Sequence, residues 1–97
     1  MKKLFISQPM RGKSDAEILA ERMAAKEEAE ARIGEPVEVI DSFFAGTAAH
    51  PLDCLGESLK CMSRADVVYF AEGWESARGC KIERECAKAY SIPFIDK

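Results

Sequence analysis

The chain has 97 residues, and its 14 basic and 17 acidic side chains give a formal net charge of −3. This length predicts a single domain over residues 1–97, with the composition of a globular chain rather than a disordered one. No basic cluster favours nucleic acid as a partner, and no apolar stretch approaches the roughly 20 residues of a membrane span. Four cysteines without a C-x-x-C pair and one histidine disfavour a zinc site. We therefore expect no metal, no cofactor and a cytoplasmic location with reduced thiols.

Four short apolar runs predict β-strands, and three helical stretches lie between them. The strands are KLFIS at 3–7, VEVID at 37–41, DVVYFA at 66–71 and PFID at 93–96. The first helix is predicted to begin at Ser14, where Glu17 completes a capping box, and Gly34 is placed to end it. The second helix is predicted near 52–64, and the third from about 77 to 90.

Strands that alternate with helices predict a small α/β protein with a Rossmann-like or flavodoxin-like three-layer fold. Its parallel sheet would have about four strands, with helices on both faces. Ligands of such sheets bind beyond the carboxyl ends of the strands. That rule selects residues 7–12, 41–46 and 72–79 and the tail after Ile95. Asp66 opens its strand at the opposite end of the sheet, so its expected role is structural.

The segment ISQPMRGKS at 6–14 ends like a phosphate-binding P-loop but does not fit that pattern. The P-loop requires glycine where Ser7 stands, and Pro9 removes one of the backbone N–H groups of such a cradle. A strand-to-helix turn with only a structural role is one interpretation. The other is a binding loop, because Gln8 and Arg11 precede a helix N-terminus, where backbone donors and a guanidinium suit an anionic or sugar-bearing ligand.

The segment GWESARGCKIERECAKAY at 73–90 places one carboxylate, Glu83, on an unexpected helix face. On a wheel at about 100° per residue, Glu83 falls within an apolar arc. The arc comprises Gly79, Cys80, Ile82, Cys86, Ala87, Ala89 and Tyr90, and the opposite, solvated face comprises Lys81, Arg84, Glu85 and Lys88. A carboxylate at that position costs folding free energy unless it has a hydrogen-bond or ion-pair partner or serves in binding or catalysis. Gly79 and Ala87, one turn to either side, leave space for a substrate; the alternative is a buried Glu paired with Arg11, Arg78 or a backbone N–H.

The strand–SQPMRG–helix element and ADVVYFAEGWESARGCKIERECAKAY, with its G-x-x-x-E-x-x-x-A spacing, resemble the nucleoside 2-deoxyribosyltransferase superfamily. The resemblance spans nearly the whole chain and is closest to small bacterial and phage members, related to 2′-deoxynucleoside 5′-phosphate N-hydrolases. It implies that Glu83 is the nucleophile, which attacks C1′ of a 2-deoxyribosyl group and expels the nucleobase. A second base or water then accepts the sugar from Glu83. A carboxylate suits this chemistry because the transition state is oxocarbenium-like.

The same resemblance implies a substrate-binding site for a nucleoside or nucleotide. The loop at Arg11 and Gly12 would hold the sugar or its 5′-phosphate, and residues 74–79 would cover the other side. Trp74, or Phe43 and Phe44, would flank the base by stacking. The predicted substrate-binding residues are Ser7, Gln8, Pro9, Arg11, Gly12, Asp41, Trp74, Ser76 and Gly79, with Glu83 catalytic and no metal ligand.

Two positions depart from the superfamily pattern. Ala77 stands where transferases carry an acid used near the departing base, and Ser58 stands where many relatives carry an aspartate. The nearby acids available as substitutes are Glu72, Glu75 and Asp41. The nucleophile is therefore matched, whereas the acid that assists the leaving base is not.

Three functions follow as alternatives. The first is cleavage or transfer of the N-glycosidic bond of 2-deoxynucleosides or their 5′-monophosphates, and the second is a non-catalytic nucleotide-binding module of the same fold. The third is thiol chemistry at Cys80, whose pKa a helix dipole would lower.

His50 is expected to be a surface loop residue. By the resemblance we also expect a homodimer or larger homo-oligomer, with the second helix at the interface.

Overall fold

The computed structural model describes residues 1–42 and 50–97, and it contains the predicted strands and helices in the predicted order. They are β1 (Lys2–Ser7), α1 (Asp15–Ile33), β2 (Val37–Val39), α2 (Pro51–Met62), β3 (Val67–Phe70), α3 (Arg78–Ala89) and β4 (Phe94–Asp96). A short 3-10 helix at Trp74–Ser76, which the sequence analysis did not predict, precedes α3. Within the described ranges, no helix has the length and apolar character needed to cross a membrane.

The four strands form one parallel sheet in the order β2-β1-β3-β4. This confirms the predicted α/β fold, and the order is that of flavodoxin-like sheets, in which the direction of winding changes between β1 and β3. Leu4 pairs with Val39 on one side and Val67 on the other, whereas Ser7 pairs with Phe70 alone. All four residues of β3 are buried, as expected for a central parallel strand that is covered on both faces.

Alternate residues of β1 and β3 point into two separate cores. The core under α1 contains Leu4, Ile6, Ala25, Ala29, Val37, Val67 and Tyr69. The core under α2 and α3 contains Phe5, Cys61, Met62, Val68, Phe70 and Ala87. The three-layer arrangement with helices on both faces is therefore confirmed. Leu52, Leu55, Leu59 and Met62 follow one another along α2 at spacings of three and four residues. Of these four only Met62 is buried, and Leu52 is 68% exposed.

The ends of α1 are capped as the sequence predicts. The Ser14 hydroxyl accepts a hydrogen bond from the Glu17 amide, and the Glu17 carboxylate accepts one from the Ser14 amide. Gly34 ends the helix at φ +85°, a left-handed conformation that favours glycine. The structural role predicted for Asp66 is also confirmed, because its carboxylate accepts a hydrogen bond of 2.8 Å from the Lys3 amide at the start of β1.

Helix α3 is rotated relative to the predicted wheel. Its buried residues are Cys80, Glu83 and Ala87, whereas Ile82 and Tyr90, placed in the same arc, are 38% and 79% exposed. The rotation is explained by Arg84, which was assigned to the solvated face but has a side chain only 14% exposed.

The Arg84 guanidinium is enclosed by aromatic rings and a carboxylate. Its central carbon lies 4.2 Å from the ring centroid of Trp74, 4.5 Å from that of Phe94 and 5.2 Å from that of Phe70. Both terminal nitrogens contact the carboxylate of Asp96 at the end of β4. These contacts join α3, β3 and β4, so Arg84 packs as part of the protein rather than as a solvated charge.

We predict that Arg84→Ala lowers the free energy of unfolding by about 2 kcal/mol, because it removes the cation–π contacts together with a two-nitrogen ion pair. Lys88→Ala is the matched control on the same helix, since Lys88 is exposed and its ion pair with Glu85 is 3.9 Å long. The control should change the free energy by less than about 0.5 kcal/mol. Urea unfolding measures both, and equal losses would contradict the assignment.

Candidate functional site

A cavity of about 940 Å³ lies beyond the carboxyl end of β1, between α2 and the beginning of α3. This is the edge of the sheet that the topology assigns to ligands, next to the point where the direction of winding changes. The volume falls within the range of small-molecule sites. The described residues that line it are Phe5, Ile6, Ser7, Gln8, Pro9, Met10, Ser42, His50, Pro51, Leu52, Cys54, Leu55, Ser58, Ala77, Arg78, Gly79, Cys80, Ile82 and Glu83.

Glu83 is a nearly buried carboxylic acid in the cavity wall, 6% exposed. The Ser7 hydroxyl donates a hydrogen bond of 2.6 Å to its Oε1 atom. Its Oε2 atom accepts no hydrogen bond from a described residue. Since no side-chain oxygen in the described part of the chain is both fully enclosed and unpaired, Oε2 retains some accessibility. One oxygen is thus held by the sheet, and the other is available to a molecule in the cavity.

The environment of Glu83 raises its pKa to about 7. Burial is the main cause because it disfavours the charged form, and the hydrogen bond from Ser7 opposes the shift. Among residues 1–42 and 50–97 Glu83 makes no ion pair, so the alternative in which Arg11 or Arg78 neutralises it is wrong. The shift places the exchange between carboxylic acid and carboxylate near neutral pH, as is common for groups that react.

The two small residues beside Glu83 serve different purposes. Gly79 lines the cavity, and a Cβ atom built on it would meet no atom within 4 Å. Ala87 is fully buried in the core with Phe5 and Phe70 and is not a lining residue. The predicted space over the carboxylate is therefore found on the Gly79 side alone.

Ser7, Gln8, Pro9, Gly79 and Glu83 are the predicted site residues that the structure brings together around the cavity. The side chain of Gln8 is engaged within the protein. Its Nε2 donates to the backbone oxygen of Ile18 at 3.3 Å and to Glu21 at 3.1 Å.

Five predicted substrate-binding residues lie outside the lining: Arg11, Gly12, Asp41, Trp74 and Ser76. Trp74 packs against Phe70 and Arg84, so one proposed stacking surface is already occupied within the protein. The Ser76 hydroxyl donates to the backbone oxygen of Gly73 at 3.0 Å. Phe43 and Phe44 lie outside the described residues.

Arg11 is exposed, and the helix that follows it does not assist anion binding. The Ser14 hydroxyl already accepts a hydrogen bond from the Glu17 amide, and Asp15 and Glu17 occupy the first turn. These carboxylates repel an anion at the same position. The first turn of α1 therefore does not favour an anion beside Arg11, and the binding role of Arg11 stays a prediction.

The two departures from the superfamily pattern both fall in the cavity wall, because Ala77 and Ser58 line it. None of the acids considered as substitutes does so: Glu72, Glu75 and Asp41 lie elsewhere. Glu83 is therefore the only carboxylic acid among the described lining residues.

Two lining residues bear on the remaining sequence predictions. His50 is exposed and lies just before α2, as predicted for a surface loop residue. Its Nδ1 accepts a hydrogen bond of 3.1 Å from the Leu52 amide, so it caps the helix, and it also borders the cavity. Burial raises the pKa of the Cys80 thiol, and the neighbouring Glu83 adds to the shift. The expected lowering by the helix dipole is wrong, and the structure disfavours the reactive thiolate.

Arg22, which the sequence analysis did not select, is buried beside the site at 7% exposure. It lies on α1 in a stripe with Ile18, Ala25 and Ala29, at spacings of four, three and four residues. A charged side chain in an apolar stripe is the signal that identified Glu83 on α3. The same wheel applied to α1 would have found Arg22.

The described residues contain no group of three or more His, Cys, Asp or Glu side chains that could hold a metal ion. The groups that the site offers for chemistry are the Glu83 carboxyl, the Ser7 hydroxyl and the cavity beside them. The fold and site define a small α/β protein with a flavodoxin-like strand order and a buried acid at the ligand-binding edge of its sheet. The chain belongs to DUF4406, a family described as a domain of unknown function, whose model matches residues 2–96. No curated protein matches the chain.

We predict that Glu83→Gln stabilises the protein at pH 8 and leaves its stability unchanged at pH 4. A raised pKa means that the folded state retains a proton that the unfolded state loses between pH 4.5 and about 7, so stability falls as pH rises through this window. The full shift corresponds to about 3 kcal/mol. Thermal unfolding at both pH values measures the effect.

Glu85→Gln is the control, because Glu85 is an exposed acid on the same helix. It should change stability by less than about 0.5 kcal/mol at either pH. A Glu83→Gln effect of the same size at pH 4 and pH 8 would mean that the carboxyl is not held in the protonated form.

Proposed function

We propose that the protein cleaves or transfers the N-glycosidic bond of 2-deoxynucleosides or their 5′-monophosphates, with Glu83 as the nucleophile. The observation that carries the proposal is a carboxylic acid 6% exposed in a cavity wall, with Oε1 held by Ser7 and Oε2 without a hydrogen bond from a described residue. The resemblance of the GW…RG…E element to nucleoside 2-deoxyribosyltransferases supports the choice of substrate.

In the first step of the proposed reaction, Oε2 of ionised Glu83 attacks C1′ of the deoxyribosyl group. The bond between C1′ and the base nitrogen breaks, its electron pair leaves with the base, and the base takes up a proton from water. In the second step, water or a second base attacks C1′ and displaces Glu83 as a carboxylate. Water gives hydrolysis and a base gives transfer. In either case the acceptor loses a proton, which neutralises the hydroxide left when water protonated the departing base.

The surroundings of Glu83 suit both steps. Positive charge develops on the sugar in the transition state, and a carboxylate poorly screened by water stabilises that charge strongly. The hydrogen bond from Ser7 fixes the orientation of the carboxylate, so that less freedom is lost when the substrate binds. Ser7 is thus assigned to hold the nucleophile rather than the sugar.

The remaining walls support a ligand with both polar and apolar parts. Ser7, Gln8 and Ser42 lie along the sheet edge, whereas Leu52 and Leu55 of α2 present aliphatic side chains. We place the sugar toward the sheet edge, since C1′ must reach Glu83. The base then lies toward α2, where apolar side chains can cover a flat ring.

A non-catalytic nucleotide-binding module is the second candidate. It is favoured by the absence of any carboxylic acid besides Glu83 among the described lining residues. Ala77 and Ser58 stand where an acid would assist departure of the base, so a bound nucleotide would keep its glycosidic bond. The cavity and its ligand class are the same in both candidates.

We also propose a homodimer or larger homo-oligomer in the cytoplasm. The resemblance supports this assembly. Exposed apolar side chains offer surface for it, including Leu52 on α2, Ile82 on α3 and Tyr90 just after α3. The predicted interface on α2 would then extend to α3.

Incubation of the protein with the four 2-deoxynucleosides and their 5′-monophosphates, with and without an acceptor base, tests the function. We expect release or exchange of the base, and chromatography measures it. The rate of the reaction should rise with pH through about 7, because Glu83 ionises in that range. Glu83→Ala should abolish the reaction, and Glu85→Ala should preserve it.

Base release by Glu83→Ala at the rate of the unmodified protein would overturn the assignment of the nucleophile. If calorimetry detects nucleotide binding but no product accumulates, the binding module is the correct candidate. If neither binding nor release is detected, both candidates fail.

Ser7→Ala should raise the pKa of Glu83 further, because the hydrogen bond that favours the carboxylate is lost. The rising limb of the rate–pH profile should move to higher pH accordingly. Ser63→Ala is the control, since Ser63 is exposed and donates to the backbone oxygen of Lys60. An unchanged midpoint in Ser7→Ala would show that Ser7 does not set the ionisation of Glu83.

A further inference from the structure

The ends of β1 and β2 separate beside the cavity, and Arg22 spans the gap. Among the described residues, the last backbone hydrogen bond between the two strands runs from the Ile40 amide to the oxygen of Leu4. Beyond it, β1 continues through Ser7 with β3 as its partner. Such a divergence opens the crevice in which α/β sheets bind ligands, and it leaves the two strand ends without mutual backbone support.

Arg22 supplies that support from α1. One terminal nitrogen, Nη1, donates to Oε1 of Gln8 at 3.1 Å, immediately after β1. The other, Nη2, donates to the backbone oxygen of Ile40 at 3.2 Å and to the hydroxyl of Ser42 at 3.1 Å, both beyond the end of β2. The planar guanidinium can reach two separated groups at once, a geometry that lysine cannot reproduce.

The position of Arg22 is costly for a residue with only a packing role. Burial lowers its pKa, and the charge of Asp41 offsets part of that effect. An apolar side chain of similar size would fill the same volume without removing a charge from water. The contribution of Arg22 is to the cavity wall. It bonds Gln8 and Ser42, and both of these residues line the cavity.

Arg22 does not itself line the cavity, so any effect on the site passes through the residues it holds. Gln8 is the more important of these, because it directly follows Ser7, whose hydroxyl holds Glu83. The amide of Gln8 is fixed at both ends, by Arg22 on its oxygen and by Ile18 and Glu21 on its nitrogen. The carboxyl end of β1 is thereby anchored to α1.

We propose that Arg22 is a positioning residue: by joining Gln8 to the segment after β2, it fixes the polar wall of the cavity and the placement of Ser7 against Glu83. The inference rests on the proposed function for its kinetic consequence alone. Its structural consequence, the dependence of the Glu83 environment on Arg22, is measurable without a substrate.

The test compares Arg22→Lys, which keeps the charge, with Arg22→Met, which removes it. Arg32→Lys is the matched control on α1, since Arg32 bonds Glu28 and the backbone oxygen of Asp96, away from the cavity. The first readout is the titration midpoint of Glu83. It is obtained from the chemical shift of the carboxyl carbon, which nuclear magnetic resonance follows against pH. We expect Arg22→Lys to raise it by about 0.5 pH unit or more as Ser7 loses its placement, and Arg32→Lys to leave it unchanged.

The second readout is kcat with the deoxynucleoside or nucleotide that the unmodified protein turns over. Arg22→Lys should lower kcat about tenfold or more, because Ser7 no longer holds Glu83 in position. The measurement is made at a temperature at which circular dichroism shows that the variant is folded. A midpoint and a kcat both equal to those of the unmodified protein would overturn the proposal. Without turnover by the unmodified protein, the proposed function fails and the titration still decides the role of Arg22.

Should Arg22→Met not fold, Arg22→Lys and Ser42→Ala decide the question. Ser42→Ala removes one acceptor and keeps the guanidinium, so it should move the Glu83 midpoint in the same direction by a smaller amount. An unshifted midpoint in both variants would mean that Arg22 stabilises the fold without positioning the site.

Discussion

The hydrogen bond between the Ser7 hydroxyl and Glu83 is the interaction on which the site depends, because it joins the end of β1 to the middle of α3. A carboxylic acid buried in this way is unfavourable when charged, and the bond from Ser7 recovers only part of the loss. The rest of the free-energy cost stays with a carboxyl group that lines a cavity. The proposed chemistry uses that cost, since an attack by Oε2 of this group relieves the burial of charge.

The parallel sheet explains why these groups meet. Parallel strands place their carboxyl ends at one edge, and the change of winding between β1 and β3 leaves a crevice there. Ser7 reaches this edge as the last residue of β1, while Glu83 enters it from the first half of α3. Residues 76 positions apart in the chain are brought together by topology, with no motif in the local sequence that links them.

Most of the fold could be predicted from local signals, because apolar runs, the capping box at Ser14 and Gly34 act within one element. Glu83 could be singled out for the same reason, as a charge at an apolar position of a helix. The rotation of α3 could not, since it depends on aromatic rings from three other segments that surround Arg84. The partners of Gln8 likewise depend on contacts that only the folded chain defines.

The attachment of α2 has an evolutionary consequence. Only Cys61 and Met62 of this helix, at its last turn, are buried, while Leu52 and Leu55 stand over the cavity with little of the core behind them. Substitutions in the first half of the helix therefore remove few contacts with the core of the same chain, and they cost that chain little folding free energy. The half of the cavity formed by α2 can diversify between homologous proteins while β1 and α3 keep their sequence, so that one scaffold can acquire new ligand preferences by changes in a single helix.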